Sequence, residues 1–359
     1  MTDQPPQDES DLSDEPRPGI ISRIISGVKN GLISLLGLVV IIMIAAGPLW
    51  YYSELHRPGV LGEDQRIIIP EGAGRVVISA RVNSAGIRHS VWVYRLEEWR
   101  RGEDYRPKAG EFALPEGTSL DQALSIIHKG DSIQHAFTIP PGQTAAEFIL
   151  ALNSDRRFSG VVTPLPSEGD LMPETYFFTR GTDRNRFINR VTGSRDVALA
   201  SLWSERQADL PYKTLDEAVV MASIIEKETA LAEERGLVAS VFVNRLRKGM
   251  KLQSDPTVLY GLVQDGQPVK ILKRRHLDHN SPWNTYRNKG LPPTPICNPG
   301  YDSLKAALNP EDSLYFYFVA DGKGGHAFAR TLTEHNRNVK AWRAIRDQAG
   351  GGGGGPERQ

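Results

Sequence analysis

From Gly31 to Tyr52 the chain reads GLISLLGLVVIIMIAAGPLWYY and carries no charged side chain. About 20 apolar residues in helical form cross the hydrocarbon core of a bilayer. The segment therefore reads as a transmembrane helix over 31–52. Arg17, Arg23 and Lys29 precede it, while only Arg57 follows closely. The positive-inside rule then places the N-terminus in the cytoplasm and the bulk of the chain on the other side. Trp50, Tyr51 and Tyr52 fall where an interfacial aromatic belt is expected. A cleaved signal peptide and a buried soluble helix are the competing readings. The apolar run is long for the first, and no clear small-x-small cleavage site follows it.

The ends are of a different composition. Residues 1–30 read as a disordered cytoplasmic tail, because Asp3, Asp8, Glu9, Asp11, Asp14 and Glu15 crowd its first half among Pro and Ser. Residues 349–359, with the Gly350–Gly355 run, read as a flexible Gly-rich tail. Between the ends there is chain enough for two domains among the 359 residues. A formal net charge of zero gives no support for nucleic-acid binding through bulk charge. The single cysteine, Cys297, rules out an internal disulfide and lies in a Pro-rich loop where it reads as inert.

Over residues 65–152 one pattern recurs: an apolar strand residue, then Pro-x-Gly, then a helical run. It appears as Ile69-Pro70-Glu71-Gly72, Leu114-Pro115-Glu116-Gly117 and Ile139-Pro140-Pro141-Gly142. Pro-x-Gly closes a turn, and the Thr118-Ser119 pair and Thr144 are placed to cap the helices that follow. Ile67–Ile69 and His135–Ile139 read as strands. Small βα units of this kind resemble LysM modules, which bind glycan chains. Trp92, Tyr94 and Trp99 are the aromatic residues available to such a module, unless they form its core.

Residues 163–348 mix strands and helices without a regular βαβ rhythm, which predicts α+β architecture. An amphipathic helix is expected near Asn185–Ala198, a strand at Leu314–Ala320, a hairpin at Asp321–Gly325 and a last helix from Thr333. The helix expected over Leu215–Leu231 carries two glutamates into an apolar sequence. A carboxyl on an apolar face is costly unless it has a partner or a task. Glu228 shares its stripe with Met221, Ile224 and Ile225, whereas Glu226 shares one with Val219, Ala222 and Ser223. Two residues apart, they point about 200° apart on an ideal helix. They therefore cannot face one glycosidic bond as an ordinary acid–base pair. The bulkier neighbours favour Glu228 as a desolvated general acid, and Glu226 stays open on periodicity alone. A structural carboxylate bonded to Arg235, Arg245 or a backbone amide is the bland alternative for both.

Four motifs add a resemblance: MASIIEKET, VASVFVNRLRKGMKLQSDPTVLYG, SPWNTYRNKGLPPTPICNPGYDSLKAALNP and YFYFVADGKGGHAF. In this order they resemble the MltG (YceG-like) family of membrane-anchored endolytic murein transglycosylases. The resemblance runs from the apolar span to Asn338. It implies cleavage of the β-1,4 bond between N-acetylmuramic acid and N-acetylglucosamine within nascent glycan strands. It implies 1,6-anhydro-muramic ends, a role as terminase of glycan elongation, and residence in the bacterial inner membrane with a periplasmic catalytic domain. Partners among the peptidoglycan synthases of elongation or division follow from it, and no metal or organic cofactor does. The family's catalytic glutamate falls on the second Glu of Glu-Lys-Glu-Thr, Glu228. One glutamate suffices because the muramic C6 hydroxyl attacks within the sugar, so no water needs a second base.

Polar loops are expected to grip the substrate. The candidates are Gln253, Ser254 and Asp255 after a second amphipathic helix expected around Leu237, Asn284 and Tyr286 in SPWNTYRNKG, Asn298 in the Pro-rich loop, and Glu174 with Tyr176. Trp283 offers a flat face, and Asn244-Arg245 reads as an internal ion-pairing position toward Glu233 or Glu234. His276-x-Asp278-His279 lacks further metal ligands at useful spacing and reads as a solvated loop, with Lys273, Arg274 and Arg275 beside it. His326 and Asn336 read as support for the catalytic core. Two other functions compete: a non-catalytic, membrane-anchored glycan-binding scaffold, and a hydrolase leaving a reducing end. Loss of cellular function on Glu228→Gln argues against the first, and product mass decides the second.

Overall fold

Helix α1 (Ile20–His56) is longer than the expected span and contains it. The structure, a computed structural model, describes residues 20–62 and 65–348, with only the backbone for residues 20–24, 26 and 348. Both expected tails therefore lie wholly or largely outside the described residues. Among the described residues α1 is the one helix long and apolar enough to cross a membrane. Its apolar side chains, such as Leu36 and Ile44, are exposed all round. A helix with no polar face has no seam with which to pack on one side of a soluble core. Its last turns differ: Leu55 is buried and the Tyr51 hydroxyl donates to Glu97 at 2.5 Å.

The chain divides into two compact units. The first runs to Asp131 without residues 70–72 and 109–111, and the second holds those residues and everything from Ser132. The first unit holds β1 (Arg66–Ile69), α2 (Arg75–Ser84), α3 (Val91–Arg101), the second half of β2 (Gly110–Ala113) and α4 (Leu120–Lys129), in that order. β1 pairs with β2, and Ile67, Ile69, Val82, Phe112, Leu124 and Ile127 meet in one core. Ser119 caps α4 through a capping box with Gln122, after a turn in which Gly117 adopts φ 74°. Glu97 is fully buried and stays charged because Arg100 and Arg101 both donate to it at 2.7 Å. Tyr94 is core, whereas Trp92 and Trp99 are 73% and 78% exposed.

The third Pro-x-Gly segment lies in the second unit, so the break falls at Asp131 and not at residue 152. The reason is strand pairing. β3 (Gln134–Thr138) pairs antiparallel with β4 (Thr175–Thr179), from Gln134 opposite Thr179 to Thr138 opposite Thr175. Thr144 caps α5 (Ala145–Ser154), and α6 (Arg184–Ser204) completes an aromatic core of Phe148, Phe158, Phe178 and Phe187.

The second core is built around α7 (Leu215–Glu228), which starts at a Thr214–Glu217 capping box and is buried from Ala218 through Ile225. It packs against α8 (Arg235–Arg247) and α10 (Tyr301–Leu308), with α9 (Asp255–Gln264) alongside. Each Ile, Val or Met buried there contributes about 1.5–3 kcal/mol relative to exposure. The hairpin β5 (Tyr317–Ala320) and β6 (His326–Ala329) and helix α11 (Leu332–Gln348) close the unit. The first of these strands begins later than the expected Leu314. Residues 313–316 instead give their carbonyls to α8: Asn244 Nδ2 donates to Ser313 O and Tyr315 O, and Arg245 Nε to Phe316 O.

Candidate active site

Helix α7 ends at Glu228, three residues before the expected stop. Thr229 turns extended, with φ −139°, and its hydroxyl accepts the Leu231 N–H at 3.1 Å. The two glutamates diverge as helical geometry demands. Glu226 Oε2 accepts the Gly300 N–H at 3.0 Å and so clasps a loop. Glu228 Oε1 accepts the Ser254 hydroxyl at 2.5 Å. The residue borders a cavity of about 280 Å³.

Ser254 is fixed from three directions. Its N–H donates to Thr285 Oγ1 at 2.9 Å, its carbonyl accepts Thr257 Oγ1 at 2.6 Å, and the two threonine hydroxyls bond each other at 2.8 Å. The expected polar loop gives way at Asp255 to α9, with Asp255 and Pro256 in its first turn. Proline and an acid both suit that position, where N–H groups lack partners and the dipole is positive. Asp255 Oδ1 accepts the Tyr286 hydroxyl at 2.6 Å. Gln253, just before the helix, takes φ 57°, a conformation that costs a non-glycine residue energy and that recurs at functional sites.

Gln253, Asp255 and Tyr286 border the cavity with Glu228, and Phe242, Leu252, Tyr317 and Phe318 are among its apolar lining. Arg245 and His335 also line it. The expected pairing of Arg245 with Glu233 or Glu234 is not formed. Arg245 is buried, donates to Phe316 O and Leu252 O at 2.6 Å each, and lies 5.3 Å from the Tyr317 ring centroid. Glu234 instead binds His326 at 2.5 Å and its N–H at 2.7 Å. Burial draws the Arg245 pKa below the usual arginine value. His335 stacks on Tyr317, and burial, then the Arg245 charge, hold its pKa below the usual histidine value. The cavity thus contains a neutral imidazole beside a fixed cation.

Four of the expected grip residues sit elsewhere. Asn298 is fully buried; its Oδ1 accepts the N–H groups of Gly169 and Leu171 at 3.0 and 3.1 Å, and its Nδ2 donates to Gln143 O at 2.9 Å. Asn284, also fully buried, donates to Leu277 O and His279 O and receives the Tyr286 N–H. Tyr176 belongs to the aromatic core and donates to Met172 O at 2.9 Å. Glu174 is exposed at the start of β4, where its carbonyl accepts the Ile139 N–H. All four hold loops or a core rather than line the cavity, because their polar atoms or backbones are engaged locally. Trp283 packs edge-on against Tyr260 and donates to Thr294. His279 pairs with Asp265 at 2.7 Å, and His276 accepts from the Lys273 N–H at 3.0 Å. Cys297 is buried, and burial raises its thiol pKa well above the ordinary value.

His335, Tyr317 and Phe318 escape sequence reasoning. The alternating LYFYFVA run signals a strand with two faces, yet nothing in it says that one face walls a cavity. His335 stands on the buried face of α11 without a motif around it.

Fold and site together define a class: an α+β protein that presents one helix-end glutamate, oriented by a serine, to a half-polar cavity. The chain belongs to the YceG-like family, whose sequence profile it matches over residues 67–341. It is 29% identical over 317 residues to a protein named endolytic murein transglycosylase from Streptococcus pneumoniae serotype 2 strain D39, covering 76% of this chain and 57% of that protein. A protein of the same name from Bacillus subtilis strain 168 is 39% identical over 173 residues, 48% of this chain and 47% of that one. The chain thus spans about half the length of the curated relatives it matches. A 2.6 Å crystal structure of a YceG-like protein from Listeria monocytogenes is 30% identical, covers 77% of this chain and 98% of that chain, and superposes with a TM-score of 0.47.

Proposed function

We propose that this chain is an endolytic murein transglycosylase, with Glu228 as its general acid and base. The carrying observation is the Glu228 carboxylate at the end of α7, held by Ser254 at 2.5 Å on the border of the cavity. The carboxyl proton passes to the oxygen that links muramic C1 to the next N-acetylglucosamine, and the C1–O bond breaks. The muramic C6 hydroxyl oxygen then bonds to C1, and its proton returns to Glu228. No water is consumed, and the product is a 1,6-anhydro-muramic end. The reaction calls for no cofactor. Ser254 orients the carboxylate, while Gln253, Asp255 and Tyr286 are the proposed sugar contacts. Holding the C6 hydroxyl against C1 replaces an encounter with a positioned attack.

The same reading makes the chain a single-pass inner-membrane protein with a cytoplasmic N-terminus and a periplasmic second unit. Support comes from α1 and from Arg23 and Lys29 ahead of its uncharged stretch, residues 31–52, against Arg57 after it. The first unit is proposed as a LysM-like module, a reading supported by exposed Trp92 and Trp99 on α3. Cutting within nascent strands makes the enzyme a terminase of glycan elongation, next to the synthases of elongation or division. The test is the mass of the products from stem-bearing glycan strands. Internal fragments with anhydro ends are expected; fragments heavier by one water would make the protein a hydrolase instead.

A further inference from the structure

A second cavity, of about 530 Å³, adjoins the first: Gln253 and Tyr286 border both. Its volume lies in the range of small-ligand sites. Three cations line it, Lys251, Arg274 and Arg287, against a single carboxylate, Asp278. Arg287 donates to the backbone carbonyl of Asp278 at 3.1 Å, which leaves its charge uncompensated by that bond. Among the described residues, none of the three cations forms an ion pair with an acidic side chain. Lys273 and Arg275, both exposed, flank Arg274 and add to the positive field. An uncompensated cationic pocket selects an anion, and guanidinium groups suit carboxylates through paired N–H donors.

The proposed reaction says which anion falls there. The bond cleaved is at C1 of a muramic residue, and that same sugar carries, on O3, the only acidic substituent of the strand. Its carboxylates belong to the lactyl group when the strand is bare and to the attached peptide when it is not. We infer that the Lys251–Arg274–Arg287 pocket receives a carboxylate of the peptide on the muramic residue being cleaved, so that the enzyme reads stem-bearing strands. Gln253, on the shared border, then separates the sugar at Glu228 from its side branch. This inference rests on the proposed transglycosylase reading for the identity of the ligand, not for the existence of the pocket.

The test uses the full-length chain in detergent and three labelled glycan strands: stem-bearing, stripped to the free lactyl carboxylate, and stripped with that carboxylate capped as a neutral amide. Affinities are measured in the Glu228→Gln background, where nothing is cut, and kcat/KM in the wild-type background. Lys251→Gln with Arg274→Gln is expected to weaken binding of stem-bearing strands about tenfold and to raise KM with little change in kcat, as for loss of about 1.4 kcal/mol. Binding of the neutral strand is expected to stay within about twofold. Lys251→Arg with Arg274→Lys, which keeps both charges, is expected to restore most of the affinity. Loss on the stripped acidic strand as well would mean that the pocket takes the lactyl carboxylate when no peptide is attached, and would still support the inference. Equal loss on all three strands, or loss on none, overturns the inference. A wild-type protein that cuts no strand, yet whose binding shows the charge-dependent pattern, would sink the reaction and keep the pocket.

Discussion

Ser254 is the residue through which the account of Glu228 can be probed most gently. Its hydroxyl donates to Glu228 Oε1 at 2.5 Å, and loss of that donor costs about 1–3 kcal/mol. Ser254→Ala is expected to lower kcat by at least about tenfold while the fold survives, since the backbone of residue 254 keeps its threonine partners. Unchanged kcat would mean that the carboxylate needs no orienting. His335 carries a pH prediction. Its folded pKa lies below the ordinary histidine value of about 6.5, so the unfolded chain binds the proton first as pH falls. Stability is therefore complete above about pH 6.5 and declines as pH falls from there toward the folded value. His89 in the first unit is shifted the same way by burial, so the wild-type decline is shared. His335→Gln is expected to flatten the fall of the thermal midpoint between about pH 6.5 and 5. An identical slope in both proteins would show that the imidazole is not kept neutral.

At the level of elements, the loop around Asn298 is a structural clasp. Three of its side-chain bonds tie the Pro-rich loop to Gly169–Leu171 and to Gln143. Asn298→Ala is expected to cost about 2–4 kcal/mol and to lower the thermal midpoint by several degrees. Activity per folded molecule is expected to stay near wild type; a selective loss of substrate affinity would return Asn298 to the binding site. Gly169 reports on the same junction. It has φ 83°, and an added Cβ would come within 2.7 Å of Val219 Cγ1 and 2.8 Å of Pro295 Cγ. Gly169→Ala is expected to destabilise by about 2 kcal/mol or more, read from the urea midpoint. Capping residues at Ser119, Thr144 and the helix carrying Glu228 were legible in sequence, because caps and 3.6-residue stripes are local signals. Asn298, Asn284 and Tyr176 were misread as grip residues because an asparagine that binds a sugar and one that clasps a loop look alike until its partners, over a hundred residues away for Asn298, are seen. The unit boundary was placed too late for a similar reason. The third Pro-x-Gly turn repeats the local pattern, but β3 finds its partner in β4.

For the whole molecule, α1 joins an apolar span to the first unit through Tyr51 and Leu55. The full chain is expected in the carbonate-resistant membrane fraction, and a chain starting at Trp50, which keeps both contacts, in the soluble one. Membrane retention of the shorter chain would show that another surface holds the bilayer. The central claim is that Glu228, and not Glu226, moves the protons. The most direct measurement is mass spectrometry of glycan strands digested by the full chain, its Glu228→Gln variant and its Glu226→Gln variant. The account predicts internal anhydro-ended fragments from the wild type and from Glu226→Gln at comparable rates. From Glu228→Gln it predicts a rate at least about a hundredfold lower. Anhydro-ended fragments released by Glu228→Gln at the wild-type rate would contradict it.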